Sequence, residues 1–186
     1  MRNLIKRISA LLLCLLLVLS LAVTALAEEA NDTDEAAAAE EGTTLRILRQ
    51  KQFLDFAENC RLDSYSRNLS VVLLTDIDLT GVDFAGIPIF CGNFDGNGHT
   101  ISGLSITQDG SNMGLFRYVD ASALIQNLTV LGEIVPDGSR SAVGGIAGHN
   151  AGKIQNCFFD GTVSGSDDVG GIAGINAITG LSLIHI

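Results

Sequence analysis

The second half of the chain repeats itself, and this self-similarity constrains the fold more than any other sequence feature. Three segments carry apolar residues at the spacing i, i+3, i+5, with lags of 24 and 29 residues between them: Ile101–Ile106, Ile125–Val130 and Ile154–Phe159. A second set, offset from the first, recurs at lags of 31 and 26 residues: Gly114–Phe116, Gly145–Ala147 and Gly171–Ala173. Two interleaved patterns with this period are typical of a chain wound into stacked coils.

Stacked coils bury apolar side chains that one coil could not bury alone, so like residues should lie above one another. The repeats predict two interior columns with these members: Leu104, Leu128 and Cys157 in the first, and Ile106, Val130 and Phe159 in the second. The expected fold class is therefore all-β, with short parallel strands on successive coils.

Glycine and asparagine mark the expected corners of the coils. Gly144-Gly145 and Gly170-Gly171 suit positions where a Cβ atom would clash or where φ is positive. Asn127 and Asn156 occupy equivalent positions, so we expect their side chains to stack as an amide ladder.

A helical pattern precedes the repeats, over residues 49–59. The residues at i, i+3, i+4 and i+7 that share one apolar face are Phe53, Phe56, Ala57 and Cys60. We expect this amphipathic helix to cover the first coil, whose apolar side chains and backbone would otherwise be exposed.

The pattern then changes to the two-residue alternation of a strand. The apolar residues that share one parity are Val71, Leu73, Ile77 and Leu79, whereas Asp76 and Asp78 have the other parity.

The N-terminus has the form of a secretory signal peptide. Basic residues among the first seven positions precede an uncharged run at 8–27, which ends in a small-x-small triplet. This pattern predicts cleavage between Ala27 and Glu28. An uncut membrane anchor is the alternative, because about 20 uncharged residues can just span a bilayer.

Residues 28–42 hold seven acidic side chains, no basic ones and no large apolar ones. Such a segment cannot bury enough surface to order itself, which predicts a disordered acidic tether, with a short Ala/Glu helix as the alternative. The full chain has 11 basic and 21 acidic residues and a net charge of −10, which argues against a nucleic-acid partner.

Cleavage would leave three cysteines, Cys60, Cys91 and Cys157. Export makes a Cys60–Cys91 disulfide one option, but the odd number favours buried free thiols. The sequence contains neither CxxC nor HExxH, so it offers no zinc knuckle or helical zinc-peptidase site. We expect no cofactor and no metal.

The chain thus divides into a signal peptide at 1–27, the tether at 28–42, an N-terminal cap at 43–70 and solenoid coils at 71–186. Near the end, Leu181, Ile184 and Ile186 repeat the i, i+3, i+5 spacing at a lag of 27 from the segment at 154–159. Because a solenoid needs a polar terminal cap, we expect a longer natural protein.

Several of these segments resemble the GLUG-repeat proteins of bacterial surfaces. The segments that carry the resemblance are TDIDLTG at 75–81, FDGNGHTISGLSI at 94–106, GLFRYV at 114–119, IQNLTV at 125–130 and VGGIAGHNAGKIQNCFFDGTVSG at 143–165. The resemblance covers about residues 45–176 and implies a right-handed parallel β-helix, here with a short N-terminal capping α-helix. It supplies no catalytic residue, because the family is defined by its repeat. Arg117 stands where family members often have another glycine.

Four carboxylates could converge on one face, as in a calcium-dependent lyase or an acid/base glycosidase: Asp76, Asp78, Asp83 and Asp95. Turn and capping roles are the favoured interpretation, since Asp95-Gly96-Asn97-Gly98 is a turn sequence. His99 and His149 have no paired acid at a recognisable spacing. The pair Asp167-Asp168 is expected in a solvated loop.

Three functions stay open. The first is a non-catalytic exported module for surface display, adhesion or spacing, secreted or at the cell surface, with an extracellular protein or glycan as partner and no membrane contact after signal removal. The second is the N-terminal, non-catalytic portion of a larger exported enzyme such as a metallopeptidase. The third is a β-helical polysaccharide lyase or hydrolase that uses the carboxylates.

Overall fold

A computed structural model describes residues 43–138, 140–177 and 181–183, the last three through their backbone alone. The signal peptide with its cleavage site at Ala27 and Glu28, and the acidic tether at 28–42, lie outside the described residues and stay predictions.

The described chain consists of fourteen short strands and one helix. The helix α1 spans Gln50–Asn59. The strands are β1 (Thr44–Ile47), β2 (Ser70–Leu73), β3 (Ile77–Asp78), β4 (Ile87–Phe90), β5 (Asn93–Asp95), β6 (Thr100–Ile106), β7 (Phe116–Val119), β8 (Leu124–Ile134), β9 (Ser141–Gly144), β10 (Ala147–Asn150), β11 (Lys153–Val163), β12 (Asp167–Gly170), β13 (Ala173–Asn176) and β14 (Leu181–Leu183).

The strands form three sheets in which every described pairing is parallel. The first sheet runs β1-β2-β5-β8-β11-β14, with β6 pairing to both β3 and β8. The second sheet runs β4-β7-β10-β13, and the third pairs β9 with β12. The chain makes about five turns, passing through the second sheet in four of them and the third sheet in two, which confirms the parallel β-solenoid. We number the coils 1 to 5 by their first strands, which are β1, β2, β5, β8 and β11.

Backbone register gives the length of each coil. Ser70 pairs with Asn93, Asn93 with Leu124, and Leu124 with Lys153, which are steps of 23, 31 and 29 residues. The first of these coils is the shortest chiefly because β3 has 2 residues, whereas the corresponding strand of the next coil, β6, has 7. The length of the repeat therefore varies with the strand that follows the corner.

The interior columns agree with prediction between coils 4 and 5. Cys157 pairs with Leu128, and Phe159 pairs with Val130. Cys157 and Leu128 are buried, and Phe159 packs against the core from a half-buried position.

The expected columns are wrong between coils 3 and 4. Leu104 pairs with Gly132 instead of Leu128, and Ile106 pairs with Ile134 instead of Val130. The cause is the position of β6 on its coil: Phe94, which precedes the corner of coil 3, is the residue that pairs with Ile125, whereas Ile101, which follows that corner, pairs with Val130. The segment at 101–106 therefore lies farther along its coil than its spacing suggests.

The position above Ile125 is taken by Phe94 instead. At the last described strand, Ser182 pairs with Ile154, so the expected alignment of Leu181 with Ile154 is one residue out of register.

Helix α1 buries the predicted face, since Phe53, Phe56, Ala57 and Cys60 are all at most 5% exposed. The Phe56 ring lies 5.9 Å from the ring of Phe90 in β4, measured between centroids, and the two rings meet edge to face. This aromatic contact anchors the helix to the coil interior, in agreement with the capping role expected from the sequence.

Two local predictions change in the structure. The alternating segment at 71–79 forms two strands, β2 and β3, because the chain turns a corner between them. Its predicted inward residues, which are Val71, Leu73, Ile77 and Leu79, are nevertheless all buried. Strand β1, which the sequence did not indicate, pairs along β2 and adds one more strand to the first sheet.

The paired glycines lie at the turn from the third to the second sheet, as predicted for corners. Of the two reasons anticipated, close approach is the one that applies. Gly144 and Gly145 have ordinary φ values, but a Cβ atom on Gly145 would lie under 3.0 Å from the Gly171 carbonyl oxygen and from the Phe159 ring. Within the described ranges, no helix is long and apolar enough to span a membrane.

Candidate functional site

A corner within the first sheet, between β5 and β6 and partway along β8 and β11, collects several of the polar side chains singled out from the sequence. Asn97, Asn127 and Asn156 turn this corner in coils 3, 4 and 5 with φ of 52°, 54° and 51°. Asparagine tolerates this left-handed conformation better than other residues with a Cβ atom. We call the surface formed here by Asp76, Asp95, His99 and the stacked amides of coils 4 and 5 the asparagine corner.

The predicted amide ladder is present. The Asn156 Nδ2 donates to Asn127 Oδ1 at 2.7 Å, and Asn127 Nδ2 donates to Asp95 Oδ1 at 3.0 Å. Each bond joins one coil to the next, so the ladder ties three coils together along the solenoid.

A second ladder runs beside the first and was not predicted. The Gln155 Nε2 donates to Gln126 Oε1 at 2.9 Å, and Gln126 Nε2 donates to Asp95 Oδ2 at 3.0 Å. The second ladder could have been predicted from the recurrence of Ile-Gln-Asn at 125–127 and 154–156, since glutamine repeats at the same lag as asparagine.

Asp95 ends both ladders. Its carboxylate accepts hydrogen bonds from Gln126 and Asn127, and Oδ1 also accepts from the backbone N–H of Asn97 at 2.8 Å. Partial burial raises the pKa of Asp95, but the donors from Asn127, Asn97 and Gln126 outweigh it and hold the pKa below its usual value. An ionised carboxylate suits this position because it accepts hydrogen bonds only.

We expect this carboxylate to make stability depend on pH. Because the folded-state pKa of Asp95 is lowered, its stabilisation is present above the unfolded-state pKa, about 3.9, and is lost as pH falls through the folded-state pKa. Urea denaturation at a series of pH values should show the free energy of unfolding falling below about pH 4.

The Asp95→Asn variant should be less stable at neutral pH and lose part of the pH dependence of stability. The reason is that an NH₂ group would replace one carboxylate oxygen and face the donors from Asn127 and Asn97 or the donor from Gln126. Asp109→Asn is the control, since no hydrogen bond or ion pair is described for Asp109 within the described ranges. Equal pH profiles for wild type and Asp95→Asn would contradict the role of Asp95.

The corner also brings His99 to Asp76, a pairing that the sequence did not reveal. His99 Nδ1 lies 3.0 Å from Asp76 Oδ1, which also accepts the backbone N–H of Thr100 at 2.9 Å. These hydrogen bonds lower the pKa of Asp76, with that of Thr100 contributing most. The spacing could not show this partner, because Asp76 and His99 lie on successive coils, 23 residues apart.

The chemistry that the His99–Asp76 pair could support is proton transfer. If Nδ1 carries the proton and donates it to Asp76, then Nε2 of the neutral imidazole is a proton acceptor, as in a general base oriented by a carboxylate. The His99 side chain is 30% exposed and that of Asp76 is 72% exposed, so the pair is open to solvent.

Of the other two carboxylates, Asp78 caps a local turn, whereas Asp83 binds a side chain of the next coil. Asp78 Oδ1 accepts the Thr80 backbone N–H at 2.9 Å, and Asp83 Oδ1 accepts Gln108 Nε2 at 2.6 Å. In the part of the chain that the structure describes, no three His, Cys, Asp or Glu side chains are placed to hold a metal ion together.

The remaining polar candidates lie away from the corner. The His149 ring in β10 stacks on the Tyr118 ring of the coil before it, with centroids 4.8 Å apart. Asp167 and Asp168 are exposed as expected, but they begin strand β12, so the expectation of a loop is wrong. Their backbone pairs with β9 because coil 5 repeats the path of coil 4.

The three cysteines are free and buried, as favoured from the sequence, and Cys60 is not bridged to Cys91. Burial raises the pKa of the Cys60 thiol to about 12 and that of Cys157 to about 11. Both side chains therefore behave as small apolar groups in the core, with little thiolate at neutral pH.

The GLUG motif matches residues 139–164, from the start of β9 through β11, which confirms the resemblance seen in the sequence. Halomucin of Haloquadratum walsbyi is 41% identical over 138 residues, which is 68% of this chain and 2% of that protein. A protein of Evansella cellulosilytica that is named as a Gly-rich membrane protein is 35% identical over 96 residues, 45% of this chain and 11% of that protein. No solved structure matches significantly. The chain thus spans a small fraction of these curated relatives.

Proposed function

Because this chain is a GLUG-repeat protein folded as a parallel β-solenoid, we propose that it is a non-catalytic exported module for surface display, adhesion or spacing. The observation that carries the proposal is the pair of amide ladders. Their outward-facing polar groups bond to one another from coil to coil and end on Asp95. Groups committed to such bonds stiffen the solenoid rather than act on a substrate.

Export and surface location belong to the same proposal. They are supported by the signal-like N-terminus and by the relative that is named as a membrane protein. Expression in a bacterial host should release a product with the mass of residues 28–186, cut between Ala27 and Glu28. Recovery of only the full-length chain in the membrane fraction would contradict export by cleavage.

A β-helical polysaccharide lyase or hydrolase is a second candidate function, favoured by the His99–Asp76 pair. The two functions differ in one measurement, the appearance of new reducing or unsaturated ends on an anionic polysaccharide. We expect the purified chain to produce none from polygalacturonate or alginate, with or without added calcium.

If the chain does cleave a polysaccharide, and both His99→Ala and Asp76→Asn abolish that cleavage, the enzymatic function replaces the display function. His149→Ala is the control, because His149 stacks on Tyr118 away from the corner. A cleavage activity that survives all three changes would point to a contaminating enzyme and leave the display proposal in place.

A further inference from the structure

Arg117 stands at a position that is glycine in the two later coils and Pro88 in the coil before it. The pairing of β7 with β10 places it level with Gly148, and Gly148 lies level with Gly174 in β13. Neither glycine has room for a side chain. A Cβ atom would lie under 3.0 Å from the backbone of Asn112 at Gly148, and from that of Ala142 at Gly174. The coil before each glycine therefore packs directly against it.

The coil before Arg117 leaves a cavity instead. A cleft of about 370 Å³ lies between helix α1 of coil 1, the segment at 82–88 of coil 2 and Arg117 of coil 3. Leu54 and Ala57 line it from the helix, and Val82 and Pro88 line it from coil 2. This volume is at the lower end of the range for small-molecule sites, about 300 to 1,000 Å³. We call it the Arg117 cleft.

The Arg117 guanidinium has no carboxylate partner among the described residues. Nε donates to the Asn112 carbonyl oxygen at 3.4 Å and Nη2 to that of Ser111 at 3.3 Å, both long bonds. The side chain is half-buried, with its stem packed across Gly86. A partly desolvated guanidinium without a carboxylate partner among the described residues is complementary to a ligand carboxylate, which it can bind through two parallel N–H donors.

The same cleft offers acceptors for hydroxyl groups. Glu58 and Asp83 line it, each with one described partner: Arg61 at 3.0 Å for Glu58, and Gln108 at 2.6 Å for Asp83. A carboxylate has room for about four hydrogen bonds, so both can accept more. Arg61 also lines the cleft, paired with Glu58. The cleft therefore combines one cation that is free for a ligand carboxylate, acceptors for several hydroxyls and an apolar wall.

We propose that the Arg117 cleft binds a uronate residue of an acidic glycan. The uronate carboxylate pairs with Arg117, its hydroxyls donate to Glu58 and Asp83, and a ring face lies against the wall formed by Val82 and Pro88. A sugar acid is favoured over a simple carboxylate because its hydroxyls can donate to the two acidic side chains. This assignment rests on the proposed function in one respect, that an extracellular module meets such glycans.

The test is a ligand-observed NMR titration of the full chain with sodium D-glucuronate, with D-glucose as the matched neutral sugar. Glucuronate is expected to bind at least about tenfold more tightly than glucose. The Arg117→Gly variant, which restores the residue of the later coils, should lose at least about tenfold in glucuronate affinity. Lys153→Gln, which removes an exposed cation outside the cleft, should leave the affinity unchanged.

Arg117→Lys keeps the charge and the aliphatic stem but loses the two-pronged donor, so it tests the site if Arg117→Gly alters the fold. We expect it to bind glucuronate more weakly than wild type and more tightly than the glycine variant. Equal affinity for glucose and glucuronate, or unchanged affinity in folded variants at Arg117, would overturn the assignment. Acetate binding as tightly as glucuronate would also overturn it, because a carboxylate alone would then suffice. None of these outcomes bears on polysaccharide cleavage, so the two proposals fail separately.

Discussion

Replacing Phe94 by alanine is expected to lower the free energy of unfolding by about 4 kcal/mol. The Phe94 side chain is 0% exposed and lies in the aromatic cluster that joins helix α1 to the coils. Its ring centroid is 5.3 Å from that of Phe116 and 6.0 Å from that of Phe56. Truncation would remove contacts with coils on both sides and with the cap, and rigid neighbouring strands cannot close the cavity that remains.

Urea denaturation followed by far-ultraviolet circular dichroism measures this effect. Phe158→Ala is the matched control, because its ring is 53% exposed, and it should change stability by less than about 1 kcal/mol. If both variants lose the same stability, the aromatic cluster does not hold the cap and coils together as the structure indicates.

The Gly145→Ala change is expected to lower the free energy of unfolding by about 2 to 3 kcal/mol. The added methyl group would lie under 3.0 Å from the Gly171 carbonyl oxygen and from the Phe159 ring, and neither is the free end of a flexible side chain. The Gly145 backbone N–H donates to that carbonyl at 3.2 Å, so moving the strands apart would also break a bond between coils.

Gly171 provides the control for this change, because it occupies the same position in coil 5. A Cβ atom there meets nothing within 4 Å among the described residues, and its φ is not positive. Gly171→Ala should therefore shift stability by less than about 0.5 kcal/mol in the same urea experiment. A neutral Gly145→Ala variant would mean that coils 4 and 5 are not packed this closely.

The solenoid fold could be predicted from the sequence because each coil repeats the apolar pattern of the coil before it. Stacking like on like requires side chains of similar character at each lag. The apolar pair Cys157 and Leu128 and the identical pair Asn156 and Asn127 follow that rule. The rule failed for Leu104, because its segment shows the same spacing at a different place on the coil. Spacing within a segment cannot reveal how many residues the preceding corner contains.

The candidate site was predictable only in part, for a related reason. The Asn127–Asn156 ladder joins identical residues that are separated by the length of one repeat, so the repeat was sufficient to predict it. His99 and Asp76 are different residue types in irregular corners, and only the stacking of those corners brings them to 3.0 Å. The same holds for Arg117, whose departure from glycine was visible in the sequence while the cleft beside it was not.

The sequence by itself determined that the chain forms a parallel β-solenoid with an N-terminal helix, because apolar periodicity and the repeat both follow from burying one face of every coil. The tertiary structure alone decided the register of β6, the pairing of His99 with Asp76 and the cavity at Arg117. Each depends on how many residues a corner or connection contains and on what the neighbouring coil places against it. These three features join segments that are far apart in the chain, and a local sequence pattern does not show which segments will be neighbours.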